Sequence, residues 1–176
     1  MTANDIVKIA KTQIGVVEKG GKDGKSGNIV AYWDWWKTQT GKNDQGSSWC
    51  ACFVSWVFAQ AKASSLVAAE TPAGFIYCPA GLNYFKKRNQ LVEPSKSQPG
   101  DIIFFDWASD GVADHVGIVV ENHLTYLITI EGNTSPEGAI GASQSNGGGV
   151  YQRKRYFGKT IAGIARPSYP VATSTK

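Results

Sequence analysis

The periodicity of the sequence changes near Pro99-Gly100, and this change constrains the fold more than any other feature. Before it, apolar residues recur every three or four positions, which is typical of amphipathic helices. After it, apolar runs are short and bounded by turn residues, which is typical of an antiparallel sheet. The sequence therefore predicts an α+β fold, with N-terminal helices packed on a C-terminal antiparallel sheet of about five or six strands.

The periodicity also places the individual elements. The first expected helix covers residues 4–14, with Asn4 as its N-cap. A second presents Tyr32, Trp33 and Trp36 on one face and ends before Gly41. A third begins near Cys50, with Ser47 or Ser48 as its cap, and a short fourth covers residues 81–88. The expected strands are residues 101–105, 115–120, 126–130, 149–155 and 161–166.

The length of 176 residues fits one globular domain. We assign residues 1–167 to that domain. Residues 168–176 are small, polar and unpatterned, so we expect a linker or disordered tail there, with a further domain beyond it.

The net charge of +4 is mild and scattered. Its densest cluster, Arg153 to Arg155 beside Lys159, is interpreted as a solvated strand face, with attraction to an anionic polymer such as a cell wall as the alternative. No motif indicates nucleic acid, and no segment is apolar enough to span a membrane. Residues 1–15 lack the apolar run of a secretory signal, so we expect a protein that is either cytoplasmic or released by another route. We also expect a monomer.

The chain has three cysteines, and Cys50 lies at the predicted start of a helix. A helix N-terminus lowers a thiol pKa and offers backbone N–H groups to an oxyanion. Cys50 is therefore the candidate nucleophile, although a buried helix cysteine is often only a core residue. Cys52 lies about 200° further around the helix and is interpreted as packing. Cys78, beside Pro79 in an expected loop, is interpreted as structural.

A cysteine nucleophile needs a base, and the sequence has two histidines. His115 opens an apolar strand at the rim of the sheet, whereas His123 lies in an expected hairpin turn. Glu131 and Asn133, two apart on the next strand, can both point toward His115 and orient it. A structural histidine and a polar β-turn are the alternative interpretations of these residues.

Other polar and aromatic residues give weaker signals. Gln45 is a tentative oxyanion-hole donor, and Trp49, Trp107 and Tyr84 are tentative substrate-binding residues. Asp23, Asp34 and Asp44 do not form a regular calcium loop, so calcium is not predicted. Cys50-x-Cys52 is tighter than usual zinc pairs, so no metal or other cofactor is expected.

Four segments together resemble the CHAP family, the cysteine, histidine-dependent amidohydrolases/peptidases found in bacteriophage endolysins and bacterial cell-wall hydrolases. In family order they are Trp49 to Val57, Pro99 to Phe105, Asp114 to Val119, and Glu131-Gly132-Asn133. The resemblance spans about residues 15–167. It implies a papain-like fold and cleavage of amide bonds in bacterial peptidoglycan. It also implies Cys50 as nucleophile, His115 as base, Glu131 as the orienting residue and Asn133 as a supporting one. Cys52 departs from the family pattern, which often has a small residue there.

Three other functions remain open at this stage. A related family of cell-wall cysteine peptidases usually has Asp before the nucleophile, where this chain has Trp49. A transglutaminase-like or transpeptidase-like transferase would use the same thiolate chemistry. A non-catalytic wall-binding module is disfavoured by the order of Cys, His and Glu. The target amide is not determined, and a slight preference goes to peptide cleavage over the amidase reaction.

Overall fold

The computed structural model describes residues 1–20, 26–139, 143–144 and 146–170. Four helices and eight strands lie within these ranges, in the order α1 (Ala3–Thr12), β1 (Lys19–Gly20), β2 (Ser26–Ile29), α2 (Ala31–Thr40), α3 (Cys50–Gln60), α4 (Cys78–Lys86), β3 (Leu91–Val92), β4 (Ile102–Phe105), β5 (His115–Asn122), β6 (Tyr126–Thr134), β7 (Gly149–Tyr156) and β8 (Ile161–Ala165). The α+β prediction is confirmed, and the arrangement agrees with a papain-like fold.

Six strands form one antiparallel sheet in the order β3-β8-β4-β5-β6-β7. The five longer strands correspond to the predicted ones. The short strands β1, β2 and β3 were not predicted, because they show neither an alternating pattern nor an apolar run like that of β4.

The helix boundaries differ from the prediction at three places. Helix α1 begins after Thr2, whose side chain forms a capping box with Asp5, so Asn4 is not the N-cap. Helix α3 has Trp49 as its N-cap residue, without a side-chain hydrogen bond, so neither Ser47 nor Ser48 caps it. Helix α4 begins at Cys78, three residues before the predicted start. The end of α2 is as predicted, because Gly41 adopts the left-handed conformation that terminates a helix.

Helix α3 is the centre of the core. Every residue from Cys50 to Ser55 is buried, and the helix packs against both β5 and β6. Gly132 on β6 permits this contact, since a Cβ there would lie 2.6 Å from Cβ of Phe53. Strands β5 and β6 of the sheet thus lie directly beneath the first turn of α3.

The end of the described chain packs onto the domain. The Tyr169 hydroxyl donates a hydrogen bond of 2.6 Å to the Gly100 carbonyl, and its ring stacks on Phe58. The Gln90 amide donates to the Ser168 hydroxyl. The predicted tail lies mostly outside the described residues, which end at Pro170 in this region.

Candidate active site

Cys50 is the first residue of α3, in the position expected for a nucleophile. No side chain caps this helix, so its first backbone N–H groups are not taken by such a cap. The exposed fraction of Cys50 is 3%, which places the sulfur at the bottom of a nearly closed site.

His115 is the first residue of β5 and is fully buried beside Cys50. Its Nε2 lies 3.0 Å from Oε2 of Glu131. Since Glu131 engages Nε2, the other ring nitrogen, Nδ1, is the one that remains for the Cys50 thiol. The structure therefore brings three of the predicted residues side by side, and their catalytic roles stay predictions.

The Glu131 carboxylate is held from several sides although it is fully buried. Thr129 donates its hydroxyl to Oε1 at 2.5 Å, and Arg155 donates Nε to the same oxygen at 2.8 Å. A second nitrogen of Arg155, Nη2, donates to Oε2. Gly117 leaves room for this carboxylate, because a Cβ there would lie 2.5 Å from Cγ of Glu131.

These contacts set the protonation states of the site. Burial alone would raise the pKa of Glu131, but the hydrogen bonds and charges of Arg155 and His115 lower it to about 2. Burial alone would lower the pKa of His115, but the hydrogen bonds and charges of Cys50 and Glu131 raise it to about 9. The arrangement therefore favours an imidazolium between two anions at neutral pH.

The pKa of the Cys50 thiol is held well below its ordinary value. The Cys78 thiol, 3.7 Å from the sulfur, and the charge of the neighbouring His115 imidazole outweigh the burial that opposes ionisation. Burial raises the pKa of Cys52, whose sulfur instead donates to the Tyr32 carbonyl at 3.4 Å. Of these two neighbouring cysteines, Cys50 has the environment of a reactive thiolate.

The interpretation of Cys78 as a structural residue in a loop was wrong about the loop. Cys78 begins α4, and its sulfur lies 3.7 Å from that of Cys50. No sequence signal joins these residues, because they are 28 positions apart and belong to different helices.

The interpretation of residues 153–155 as a solvated strand face was also wrong for two of its three residues. Arg153 and Arg155 are buried, and only Lys154 points outward, over the ring of Tyr126. The alternation itself was the available signal, since residues two apart on a strand share a side. Arg155 and Thr129 are thus site residues that the sequence analysis missed.

Asn133 is fully buried on β6 with a left-handed backbone, φ 55°. The pairing of β6 with β7 shifts register between Glu131 and Thr134. This irregularity interrupts the strict alternation from which a shared direction of Glu131 and Asn133 was expected. A supporting role for Asn133 stays a prediction.

The four residues with weaker sequence signals lie in different parts of the molecule. Gln45 donates its amide to the Val30 carbonyl and to the Asp34 carboxylate, at the start of α2, so these contacts do not support an oxyanion role. Trp49 is fully buried and donates to Glu18, so it does not line a surface groove.

Of the other two aromatic candidates, one lies at the site. Tyr84 borders a surface cavity with Ser65 and Arg88, which Cys50 and His115 do not line. Trp107 is partly exposed and lies 6.3 Å from His115 between ring centres. Of these two candidates, Trp107 is therefore the one near His115, and its role in substrate binding stays a prediction.

Within the described ranges, no group of three or more His, Cys, Asp or Glu side chains could hold a metal ion. Asp23, one of the aspartates considered for calcium, lies outside these ranges. Among the helices that the structure describes, none is long and apolar enough to span a bilayer. His123 is exposed, next to Glu121, as expected for a hairpin turn.

A thiol at a helix start, an imidazole and a buried carboxylate, on an α+β fold, form the arrangement that cysteine-nucleophile enzymes use. The family model of the CHAP domain matches residues 41–133, just over half of the chain and a range that contains Cys50, His115, Glu131 and Asn133. The chain belongs to the CHAP domain family, which implies hydrolase activity of the cell-wall amidase or peptidase type. A search of curated proteins finds no match.

Proposed function

We propose that this protein is a peptidoglycan hydrolase that opens amide bonds through the Cys50 thiolate. The observation that carries the proposal is the position of Cys50 beside a buried His115, whose Nε2 is hydrogen-bonded to a Glu131 carboxylate that Arg155 keeps ionised. Such an arrangement supplies a nucleophile, a proton donor and an orienting charge at one place.

In the first half-reaction, the Cys50 sulfur attacks the carbonyl carbon and forms a C–S bond. The carbonyl oxygen becomes an oxyanion, for which the backbone N–H groups at the start of α3 are the available donors. The C–N bond then breaks, and the His115 imidazolium gives its proton to the leaving amine. A thioester on Cys50 remains.

In the second half-reaction, water attacks the thioester carbonyl and His115, now neutral, takes its proton. The C–S bond breaks, and Cys50 returns to the thiolate. The carboxylic acid product leaves and gives its remaining acidic proton to the solvent. Glu131 keeps the imidazole in one orientation throughout and stabilises its charged form, as the acid of a catalytic triad does.

Substrate access supports a preference for peptide cleavage over the amidase reaction. Cys50 is 3% exposed and His115 is fully buried, so little room is left around the sulfur for a substrate amide. An extended peptide needs less room than an amide attached to a sugar ring. We therefore propose an endopeptidase of the stem peptide or cross-bridge.

The role of Cys50 is tested with a matched pair of variants. Cys50→Ala is expected to abolish lysis of purified cell walls while the circular dichroism spectrum is unchanged. Cys52→Ala removes a buried thiol from the same helix and is expected to keep most of the activity. Activity in Cys50→Ala, or its loss only in Cys52→Ala, would overturn the assignment.

The bond that is cut is tested by mass spectrometry of digested walls with labelling of new amino termini. A new N-terminus inside the stem or bridge is the expected result. If the only new N-terminus is the first stem alanine, freed from an intact glycan strand, the enzyme is an amidase. An added amine that is incorporated in place of water would indicate a transferase.

We also propose that the domain acts as part of a phage endolysin, held in the cytoplasm of the producing host until another protein releases it. The family, which includes wall hydrolases, and the mild positive charge of +4 support action on an anionic wall. Purified protein added to susceptible bacteria should lyse them from outside and adhere to them only weakly. Tight, saturable adhesion would contradict the expected need for a separate wall-binding domain.

A further inference from the structure

The buried sulfur atoms of Cys50 and Cys78 are in contact at 3.7 Å, where the starts of α3 and α4 meet. Both cysteines are free thiols, with exposed fractions of 3% and 6%. The hydrolytic steps proposed above require Cys50, His115 and Glu131 but give no chemical task to a second thiol. The fold has nevertheless placed one directly against the nucleophile.

The two sulfurs have different reactivities. Cys50 is the thiolate of the pair, because His115 lies beside it. The hydrogen bond that Cys78 donates to Cys50, together with burial, raises the pKa of the Cys78 thiol. Peroxides react with thiolates far faster than with thiols, so Cys50 is the sulfur that such an oxidant attacks first.

We propose that Cys50 and Cys78 form a redox modification site, in which a peroxide oxidises Cys50 and Cys78 resolves the product as an intramolecular disulfide. In the first step the Cys50 sulfur attacks one peroxide oxygen. The S–O bond forms, the O–O bond breaks, and the leaving hydroxide takes a proton from the His115 imidazolium to become water. Cys50 is now a sulfenic acid.

In the second step the Cys78 sulfur attacks the Cys50 sulfur. The S–S bond forms, the S–O bond breaks, and the hydroxide leaves as water with the proton of Cys78. Loss of the Cys50 negative charge assists this step, because that charge is one of the causes that keep Cys78 protonated. Overall, two thiols give up two electrons and two protons, and one peroxide becomes two water molecules.

The geometry favours Cys78 over Cys52 as the resolving thiol. A disulfide has a sulfur–sulfur distance of about 2.05 Å, and two sulfurs already in contact can reach it by rotation of their side chains. The Cys52 sulfur instead contacts the Tyr32 carbonyl at 3.4 Å. Disulfide formation would block the nucleophile reversibly and protect it from irreversible oxidation to the sulfinic acid.

The experiment uses the full chain treated with a small excess of hydrogen peroxide, quenched with catalase, denatured, alkylated and analysed by mass spectrometry. We expect one alkylatable thiol to remain of the three, a mass lower by two hydrogen atoms before alkylation, and a Cys50–Cys78 crosslinked peptide. These readouts need no substrate, so they stand even if the proposed wall hydrolysis fails. A Cys50–Cys52 disulfide, or a sulfinic acid at Cys50 without any disulfide, would overturn the proposal.

A second experiment measures wall lysis in the wild-type protein and two variants, and it rests on the proposed function of Cys50. Wall lysis by the wild-type protein should be lost after peroxide and almost fully restored by dithiothreitol. Cys52→Ser should behave in the same way. Cys78→Ser should lose activity to peroxide without recovery, with Cys50 heavier by two oxygen atoms. Full recovery of Cys78→Ser with dithiothreitol would show that Cys78 does not resolve the oxidised nucleophile.

Discussion

The guanidinium of Arg155 donates to both oxygens of Glu131 and lies 4.9 Å from the ring centre of Trp107. A buried carboxylate without such a partner would protonate, because the interior disfavours an isolated charge. Arg155 therefore acts through Glu131 as a positioning residue. It keeps the carboxylate ionised, and the carboxylate in turn holds the His115 ring.

We predict that Arg155→Gln lowers kcat/KM on the order of 10- to 100-fold, less than the roughly 10⁴-fold loss that follows removal of the acid itself in the serine-protease template. Arg155→Lys should restore only part of the rate, since an ammonium cannot make the two-pronged contact. Arg153→Gln is the matched control, because the Arg153 guanidinium donates to the Ser135 carbonyl and shares the Gln144 side chain with Arg155, whereas only Arg155 donates to Glu131. Equal losses in the Arg155→Gln and Arg153→Gln variants would mean that both arginines only stabilise the fold.

The protonation of His115 leads to a second prediction at this scale. In the proposed mechanism the imidazolium stabilises the Cys50 thiolate and donates to the leaving amine, so the proposed activity requires the protonated ring. Because the pKa of His115 is raised to about 9, kcat/KM should fall on the alkaline side with a midpoint near that value. Glu131→Gln removes one of the causes of this shift and should move the midpoint to lower pH. An unchanged midpoint would mean that Glu131 does not govern the protonation of His115.

At the scale of elements, the site depends on the close approach of α3 to β6. A Cβ at Gly132 would lie 2.6 Å from Cβ of Phe53 and 2.8 Å from Cζ3 of Trp49. Both neighbours are fully buried, so neither can move aside without displacing other core residues. The position of Cys50 relative to the strand that carries Glu131 therefore depends on the absence of a side chain at residue 132.

We predict that Gly132→Ala lowers the free energy of unfolding by about 1–3 kcal/mol, the usual cost of an overpacked core. The same change should lower activity further than the loss of folded protein explains, because α3 carries Cys50. Gly158→Ala is the control, since a Cβ there has nothing within 4 Å. Urea denaturation and wall-lysis rates measure the two effects, and a neutral Gly132→Ala would show that α3 and β6 are not closely packed.

The sequence predicted these elements where a local pattern encodes them. Helical spacing located α2 and α3, and the first-turn position of Cys50 followed from it. The local pattern did not predict contacts between residues far apart in the sequence, or the environment of buried polar side chains. Arg153 and Arg155 were expected to be solvated, because the alternation of β7 puts them on one side of the strand but does not tell whether that side faces water or buried polar groups. The contact between Cys50 and Cys78 spans 28 positions and depends on how α4 packs.

At the scale of the whole molecule, the site lies where the helical and strand halves of the chain meet. Cys50 comes from the first half, and His115, Glu131 and Arg155 come from the second. The low pKa of Cys50 therefore depends on the assembled fold rather than on α3 alone. The family match ends at residue 133, so Arg155 on β7 lies beyond the matched range although it contacts Glu131.

The predicted domain boundary at residue 167 leads to a last prediction, because the structure packs the next residues onto the domain. Tyr169 hydrogen-bonds to Gly100 at the turn before β4 and stacks on Phe58 of α3, and Ser168 accepts from Gln90.

A chain that ends at Pro167 loses all three contacts, whereas one that ends at Pro170 keeps them. We expect the shorter chain to be less stable by about 1–3 kcal/mol, the combined range for one buried hydrogen bond and one aromatic contact. Thermal unfolding of the two truncated chains measures the difference, and Tyr169→Phe in the full chain isolates the part due to the hydroxyl. Equal melting temperatures for the two truncated chains would place the boundary at residue 167, whereas a lower value for the shorter one would extend the folded unit to residue 170.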